Sequence, residues 1–487
     1  MGTLLLTTII KIAIMAGFLI NVAALLTWFD RRGGGMIQDR VGPNRALLKI
    51  GKYELRVAGL LHTAADGLKF FFKEDFIPPK ADKLLFALAP MMALAPVIAL
   101  SAVIPFGDTF CLGPDVVHKG CAMTADGERL KMVGETCVNL AGQVMAGVTP
   151  QNIWPPVNRL GVCGIDVRNG IFPMDLMVAP LNVGILYVFA IAGPGIVGAA
   201  IAGWASDNKF SLMGALRAAS QMVSYEVGMG LSLIGAMMIY GTVRLDDMVR
   251  WQGDHAWGIF VQPLAFFLFF ASAIAESKRI PFDLPEAESE LVSGYFTEYS
   301  GMKFGMFYFA EYMEVVTSSM LLVTIFLGGW QLPFFHRDGI TIAFGDATLF
   351  HMWVPHVWMT ILGVVTFFGK TLVICVLQAF IRWSLPRFRY DQLMKLGWRV
   401  LLPASLANVF ATGILYLAAD QAGPAIQGGL KIAADLSQAL VALVITVLIA
   451  RAVIGFFSTK KRIPWIVGSS AKLAAAAGGA KTGEMGA

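Results

Sequence analysis

Long apolar stretches separated by short polar ones recur along almost the whole chain. They fall at about 3–28, 83–106, 176–203, 212–241, 257–276, 304–330, 354–382, 396–419 and 434–457. About 20 apolar residues span a hydrocarbon core as a helix. The pattern therefore predicts an all-α polytopic membrane protein with about nine transmembrane helices. Several of these stretches contain Pro or Gly, which a bilayer tolerates where neighbouring groups satisfy the freed backbone.

Residues 50–73 have a different period. Tyr53, Val57, Leu60, Leu61, Ala64, Leu68, Phe71 and Phe72 recur at spacings of three and four, with Lys52, Arg56, Thr63 and Asp66 on the other side. This pattern predicts an amphipathic helix lying along the membrane interface on its cytoplasmic side. Residues 107–175 interrupt the apolar rhythm. Cys111, Cys121, Cys137 and Cys163 lie there among Gly, Pro and Asn. In an oxidising compartment four cysteines predict two disulfides, with three connectivities open. Without a Cys-x-x-Cys pair, a zinc or iron–sulfur site is not expected. The expected organisation is 1–106, the first two spans with the interfacial helix; 107–175, the cysteine-containing external insertion; 176–420, the membrane core; and 421–468, an extra terminal span. A tail at 469–487, rich in Ala and Gly, is expected to be disordered.

Composition agrees with this division. The 487 residues are 56% hydrophobic and 15% charged. The net charge of +5 matters less than where the cations lie. Arg31, Arg32, Arg40, Arg45, Lys49, Lys52, Arg56, Lys69, Lys73 and Lys80 crowd the first long loop, and Lys209, Lys278, Arg279, Lys303, Arg387, Arg389 and Lys395 fall in loops on the same side. Arg244, Arg250, Arg337 and Lys431 are the few on the other. A basic loop beside a membrane helix is a topology signal rather than a nucleic-acid site, and it predicts an external N-terminus and a cytoplasmic C-terminus. An odd number of spans requires the same arrangement. The first apolar stretch, with no basic segment before it and no small-residue cleavage site after it, is expected to be a retained helix.

Ionisable residues within the apolar stretches are the candidate chemistry. An ionised side chain at the centre of a membrane helix costs at least about 3 kcal/mol on insertion scales. Glu226 falls near the middle of the fourth stretch, Glu276 ends the fifth, and Glu311 and Glu314 lie inside the sixth. Between them is an acidic loop with Asp283, Glu286, Glu288, Glu290 and Glu298. Carboxylates close together in a partly buried site cannot all ionise, so such a group can hold and release protons. Arg279 and Lys303 are the expected counter-ions. Lys370, within the seventh stretch, requires a carboxylate partner, a water-filled cavity or a lost proton.

Three segments resemble a known family. They are Gln38-Asp39-Arg40-Val41-Gly42-Pro43-Asn44-Arg45, the stretch AESKRIPFDLPEAESELVSGYFTEYSGMK at 275–303, and RWSLPRFRYDQLMKLGW at 382–398. Three motifs in order carry far less risk of coincidence than one. Together they resemble the H-type membrane subunits of respiratory complex I, the NADH:quinone oxidoreductases, and the resemblance covers most of 1–106 and 170–420. It implies a subunit of a proton-pumping enzyme of the bacterial inner membrane, placed between hydrophobic membrane-arm subunits and the peripheral-arm subunits. Quinone is implied as substrate. Flavin and iron–sulfur clusters are implied on partner subunits, with no cofactor held tightly and no NADH or metal bound by this chain. Arg31, Arg40 and Asp66 are implied to line the quinone tunnel. Glu226, Glu276, Asp283, Glu286, Glu288, Glu290, Glu298 and Glu311 are implied to form the proton path.

The chain departs from the family where Asp30-Arg31-Arg32 replaces the usual Glu-Arg-Lys, which shortens the acid and alters its local pairing. The segment 107–175 and the last span lie outside the resemblance. The equivalent component of a membrane-bound hydrogenase and a stand-alone ion transporter are the alternatives. Against the transporter, the acidic segment has no second copy of the kind inverted repeats produce.

Overall fold

In the computed structural model the described residues are 2–40, 42–43, 45–50, 53–55, 59–112, 118–120, 131–133, 136–138, 151–153, 172–284, 292–336, 339–344, 347–354, 356–421 and 424–457. Among them, seven helical stretches are long and apolar enough to cross a membrane, and two further apolar helices are shorter. The long ones are α1 (Gly2–Ile37), α3 (Lys83–Ser101), α4 (Gly184–Ala205), α5 (Lys209–Tyr240), α9 (Gly301–Phe326), α10 (His356–Ser384) and the stretch Tyr390–Ala419. That last stretch comprises α11 (Tyr390–Leu396), a π-helical turn at Gly397–Leu401 and α12 (Leu402–Asp420). The shorter ones are α8 (Pro263–Glu276) and part of α13 (Pro424–Phe457). The chain is thus an all-α polytopic membrane protein, with each expected span represented.

Local signals set the helix ends. Asp82 caps α3, its carboxylate accepting from Leu84 N at 3.1 Å and Leu85 N at 3.2 Å. Gly241, at φ 65°, closes α5 in the left-handed conformation that glycine adopts without a Cβ penalty. The apolar stretch at 257–276 is not one continuous helix. A single turn, α7 (Gly258–Val261), precedes α8, and the backbone leaves helical geometry at Gln262. The backbone at the break stays bonded, Gln262 N donating to the Gly258 carbonyl at 2.7 Å, and its side chain is fixed inside the bundle: Gln262 Nε2 donates to Thr412 Oγ1 at 2.8 Å, and Asn408 Nδ2 donates to Gln262 Oε1 at 3.1 Å.

The interfacial helix α2 is shorter than its periodicity predicts, running only over Leu61–Phe72. Ahead of it, β1 (Leu48–Ile50) pairs antiparallel with β2 (Tyr53–Leu55), Leu48 opposite Leu55. Gly59 sits at φ +90°, and a Cβ there would lie 2.0 Å from the Pro43 carbonyl oxygen. Tyr53–Leu55 is a strand and Gly59 is not in α-helical geometry, so among the described residues the helix begins only at Leu61. The remaining short strands lie outside the helical bundle. β3 (Phe110–Leu112) pairs with β4 (Phe172–Met174), bringing together the two ends of the 107–175 segment. The side chains of Cys111, Cys121, Cys137 and Cys163, and the expected disulfides with them, lie outside the described residues, as does the tail at 469–487.

The centre of the bundle is α9, with 89% of its apolar window buried. It packs against α1, α3, α8 and α10, while α5 packs against α4, α8 and α12. Because α9 has so little lipid-facing surface, its acids Glu311 and Glu314 lie inside the protein rather than against hydrocarbon.

Candidate functional site

Two of the family-like segments meet beside the end of α1. Asp30 Oδ2 accepts from Tyr312 OH at 2.9 Å on α9 and pairs with Arg382 at the end of α10. It also lies 3.6 Å from Arg279 Nη1, just beyond α8. The Arg279 guanidinium stacks on the Tyr312 ring, 3.6 Å from its centroid. Its Nε and Nη2 are buried and have no hydrogen-bond partner among the described residues. Arg387 donates to the Asp283 carbonyl, and Phe388 N donates to the Pro281 carbonyl at 3.0 Å. The segments 275–303 and 382–398 are therefore joined directly.

The turn after α8 is tight. Lys278 adopts φ 55°, a left-handed conformation that side-chain-bearing residues rarely take. Its ammonium lies 3.2 Å from Glu314 Oε2. Burial works to lower the Lys278 pKa, but the charges of Glu314 and Glu311 and the hydrogen bond to Glu314 outweigh it and leave the pKa raised. Glu311 accepts from Tyr295 OH at 3.2 Å. Glu226 and Glu314 both lie within electrostatic reach of Glu276.

Three adjoining cavities follow these residues. One of about 30 Å³ is lined by Asp30, Arg279, Tyr312 and Arg382. The next, about 40 Å³, shares Arg279 and Arg382 with it and adds Lys278, Asp283, Tyr308 and Glu311. The third, about 60 Å³, shares Lys278 and Glu311 with the second and adds Glu276 and Glu314. Each is polar on at least one wall and large enough to admit water.

The structure thus brings together Glu276, Glu311 and Asp283 of the expected path, with Glu226 close by. Glu298 lies elsewhere, accepting from Asn208 Nδ2 at 2.7 Å. Glu286, Glu288 and Glu290 lie outside the described residues. Of the expected tunnel residues, Arg31 and Asp66 form a 2.5 Å pair between α1 and α2, half-exposed. Arg40 Nε donates to Gln38 Oε1 at 2.7 Å. Among the described residues Lys303 pairs with Asp75, at 2.8 Å.

Among the described residues Lys370 is held by backbone carbonyls rather than by a carboxylate. Its ammonium donates to the carbonyls of Leu327, Gly329 and Gln331 at 2.7, 3.1 and 2.6 Å, just past the C-terminus of α9. The Trp257 ring lies 4.1 Å away. A cation there meets the negative end of the helix dipole and its unsatisfied carbonyls.

Asp30, Tyr312 and Arg382 carry more of the geometry than the sequence suggests. Asp30 has a readable signal, an acid where an apolar helix ends. Its partners, 249 to 352 positions away, have none.

Comparison with known proteins accounts for this arrangement. A family profile described as NADH dehydrogenase matches residues 10–160 and 163–413. The match runs through most of 107–175, which the motifs alone place outside the resemblance, and stops before α13. An H-type subunit of NADH-quinone oxidoreductase from Cytophaga hutchinsonii is 37% identical over 410 residues, covering 84% of this chain and 96% of that relative. The H-type subunit from Flavobacterium johnsoniae is 36% identical over 399 residues, 82% and 92% of the two chains. Its namesake from Thermomicrobium roseum is 37% identical over 413 residues, 83% and 94%. The chain therefore belongs to the family of H-type subunits of NADH-quinone oxidoreductase, the multi-pass membrane components of that enzyme.

Proposed function

We infer that this chain supplies part of the quinone tunnel of a proton-pumping NADH:quinone oxidoreductase and the first part of the acidic path that couples quinone reduction to proton movement. Arg31, Arg40 and Asp66 face the quinone. Glu226, Glu276, Asp283, Glu286, Glu288, Glu290, Glu298 and Glu311 form the path, with Glu314 added. Peripheral-arm subunits carrying flavin and iron–sulfur clusters deliver the electrons, and hydrophobic membrane-arm subunits receive the protons. The N-terminus lies outside and the C-terminus in the cytoplasm of a bacterial inner membrane.

The supporting observation is the row of three cavities with shared walls, running from Asp30 and Arg382 to Glu276 and Glu314. Charge arriving at the Asp30 end alters the field at Arg279. Arg279 lines the first and second cavities and lies within electrostatic reach of Glu311. Closely placed acids and cations respond by redistributing protons. Replacing Glu276 with Gln tests this. Proton pumping in sealed membranes should drop several-fold while the complex still assembles. Undiminished pumping would rule out a relay role.

A further inference from the structure

The turn that contributes to all three cavities is held only in part by its own backbone, through Lys278 N to the Ala275 carbonyl at 3.4 Å and Phe282 N to the Arg279 carbonyl at 2.7 Å. Residues 276–281 lie between the end of α8 and the aromatic anchor Phe282, with a left-handed Lys278 in the middle. Glu276 and Lys278 line the cavity with Glu314, Arg279 and Ile280 line the cavity with Asp30, and Lys278, Arg279 and Ile280 line the one between. A segment this short and irregular has no helix or sheet ladder of its own, so its position depends on groups outside it.

One such group spans the turn. Gln221 on α5 is fully buried, at 0% exposure. Its Nε2 donates to the Ala275 carbonyl at 2.7 Å and to the Phe282 carbonyl at 2.7 Å, the residues immediately before and after the turn. Both partners are carbonyls, so only the amide nitrogen satisfies them, and it uses both of its hydrogens to do so. The Oε1 of the same amide is buried with no hydrogen-bond partner among the described residues. A buried oxygen left unpaired is a cost that a side chain serving only to fill space would not carry. The two donors are what a glutamine contributes here.

We propose that Gln221 is a positioning residue for proton coupling: its amide staples the two ends of the 276–281 turn and so fixes the spacing of Glu276, Lys278 and Arg279 between the cavities. The inference rests on the function proposed above. Gln221 touches neither a substrate nor a transferred proton. It acts through the backbone that carries the residues of the path.

The test measures protons moved per electron pair in sealed vesicles containing the whole enzyme, with NADH oxidation by an artificial acceptor as a measure of assembly. Gln221→Leu removes both donors at similar volume and should lower the ratio at least two-fold in assembled enzyme. Gln221→Glu keeps one donor while its carboxylic acid is protonated and none once it ionises. Its ratio should therefore fall reversibly as pH rises across a range where the unaltered enzyme's ratio is constant. A role limited to packing would give no such pH dependence. If Gln221→Leu does not assemble, the pH profile of Gln221→Glu decides alone. An unchanged ratio in Gln221→Leu, or a flat profile in Gln221→Glu, would overturn the proposal. Glu276→Gln is measured in parallel. If it pumps normally, the proton-coupling function itself fails; if it is impaired while both Gln221 variants behave like the unaltered enzyme, only the staple fails.

Discussion

The Asp30 carboxylate at the end of α1 pairs with the Arg382 guanidinium at the end of α10, across 352 positions of sequence. The same carboxylate holds Tyr312 and neighbours Arg279, so one small acid organises three other elements.

Replacing Asp30 with Asn should therefore be severe. Removing one partner of a fully buried ion pair costs about 3–5 kcal/mol, because the remaining charge is left uncompensated; with Arg382 31% and Asp30 12% exposed, solvent screens this pair in part and the cost is smaller. Here two guanidinium groups lose their anion. Quinone reduction should fall at least ten-fold, with a lowered melting temperature of the assembled complex. Asp30→Glu, which keeps the charge, should recover most of both.

Gly33 is where α1 meets the neighbour of Arg382. A Cβ at Gly33 would lie 1.9 Å from the Trp383 ring. Gly33→Ala must push Trp383 aside, and overpacking of this kind costs about 1–3 kcal/mol. It should resemble Asp30→Asn in milder form. Pairing it with Trp383→Leu should restore quinone reduction, since the smaller side chain leaves the space the methyl group needs. No recovery in the double variant would show that the contact is not the cause.

Arg31 and Asp66 are partly exposed, at 45% and 34%, so their 2.5 Å pair is screened by solvent. Arg31→Met and Asp66→Asn should each alter complex stability by less than about 1 kcal/mol. A larger loss of quinone reduction than of stability would then support the proposed placement of both residues in the quinone tunnel. Denaturant titration beside steady-state kinetics separates the two quantities.

Lys370 should behave as a structural residue. A hydrogen bond contributes about 0.5–1.5 kcal/mol net, and Lys370→Met abolishes three at once in a partly buried site. The amount of assembled protein and its melting temperature should drop. In the fraction that assembles, the proton-to-electron ratio should stay unchanged. A lowered ratio would instead place Lys370 on the proton path.

The order and position of the spans are legible in the sequence because lipid-facing helices must be apolar along most of their length. The acids of α9 are legible for the same reason, since they break that rule. What hydropathy does not carry is pairing. Nothing in the sequence tells that Lys303 meets Asp75, 228 positions away, or which of its three open solutions Lys370 takes and that its amine meets the carbonyls beyond α9. Asp30 finds its partners only after α1, α9 and α10 have packed. The start of α2 is misread because the threefold and fourfold spacing of 53–60 ignores Gly59, whose backbone conformation and close approach to Pro43 exclude a helix.

The interruption at Gln262 leaves α8 as a rod of 14 residues, held by side-chain amides at both tips: Gln262 with Asn408 and Thr412 at one, Gln221 at the other. A helix that short, about 21 Å long, scarcely bends. Anchoring so short a rod at both tips fixes the height of Glu276 along its axis, so side chains remote from the acids share in setting that position.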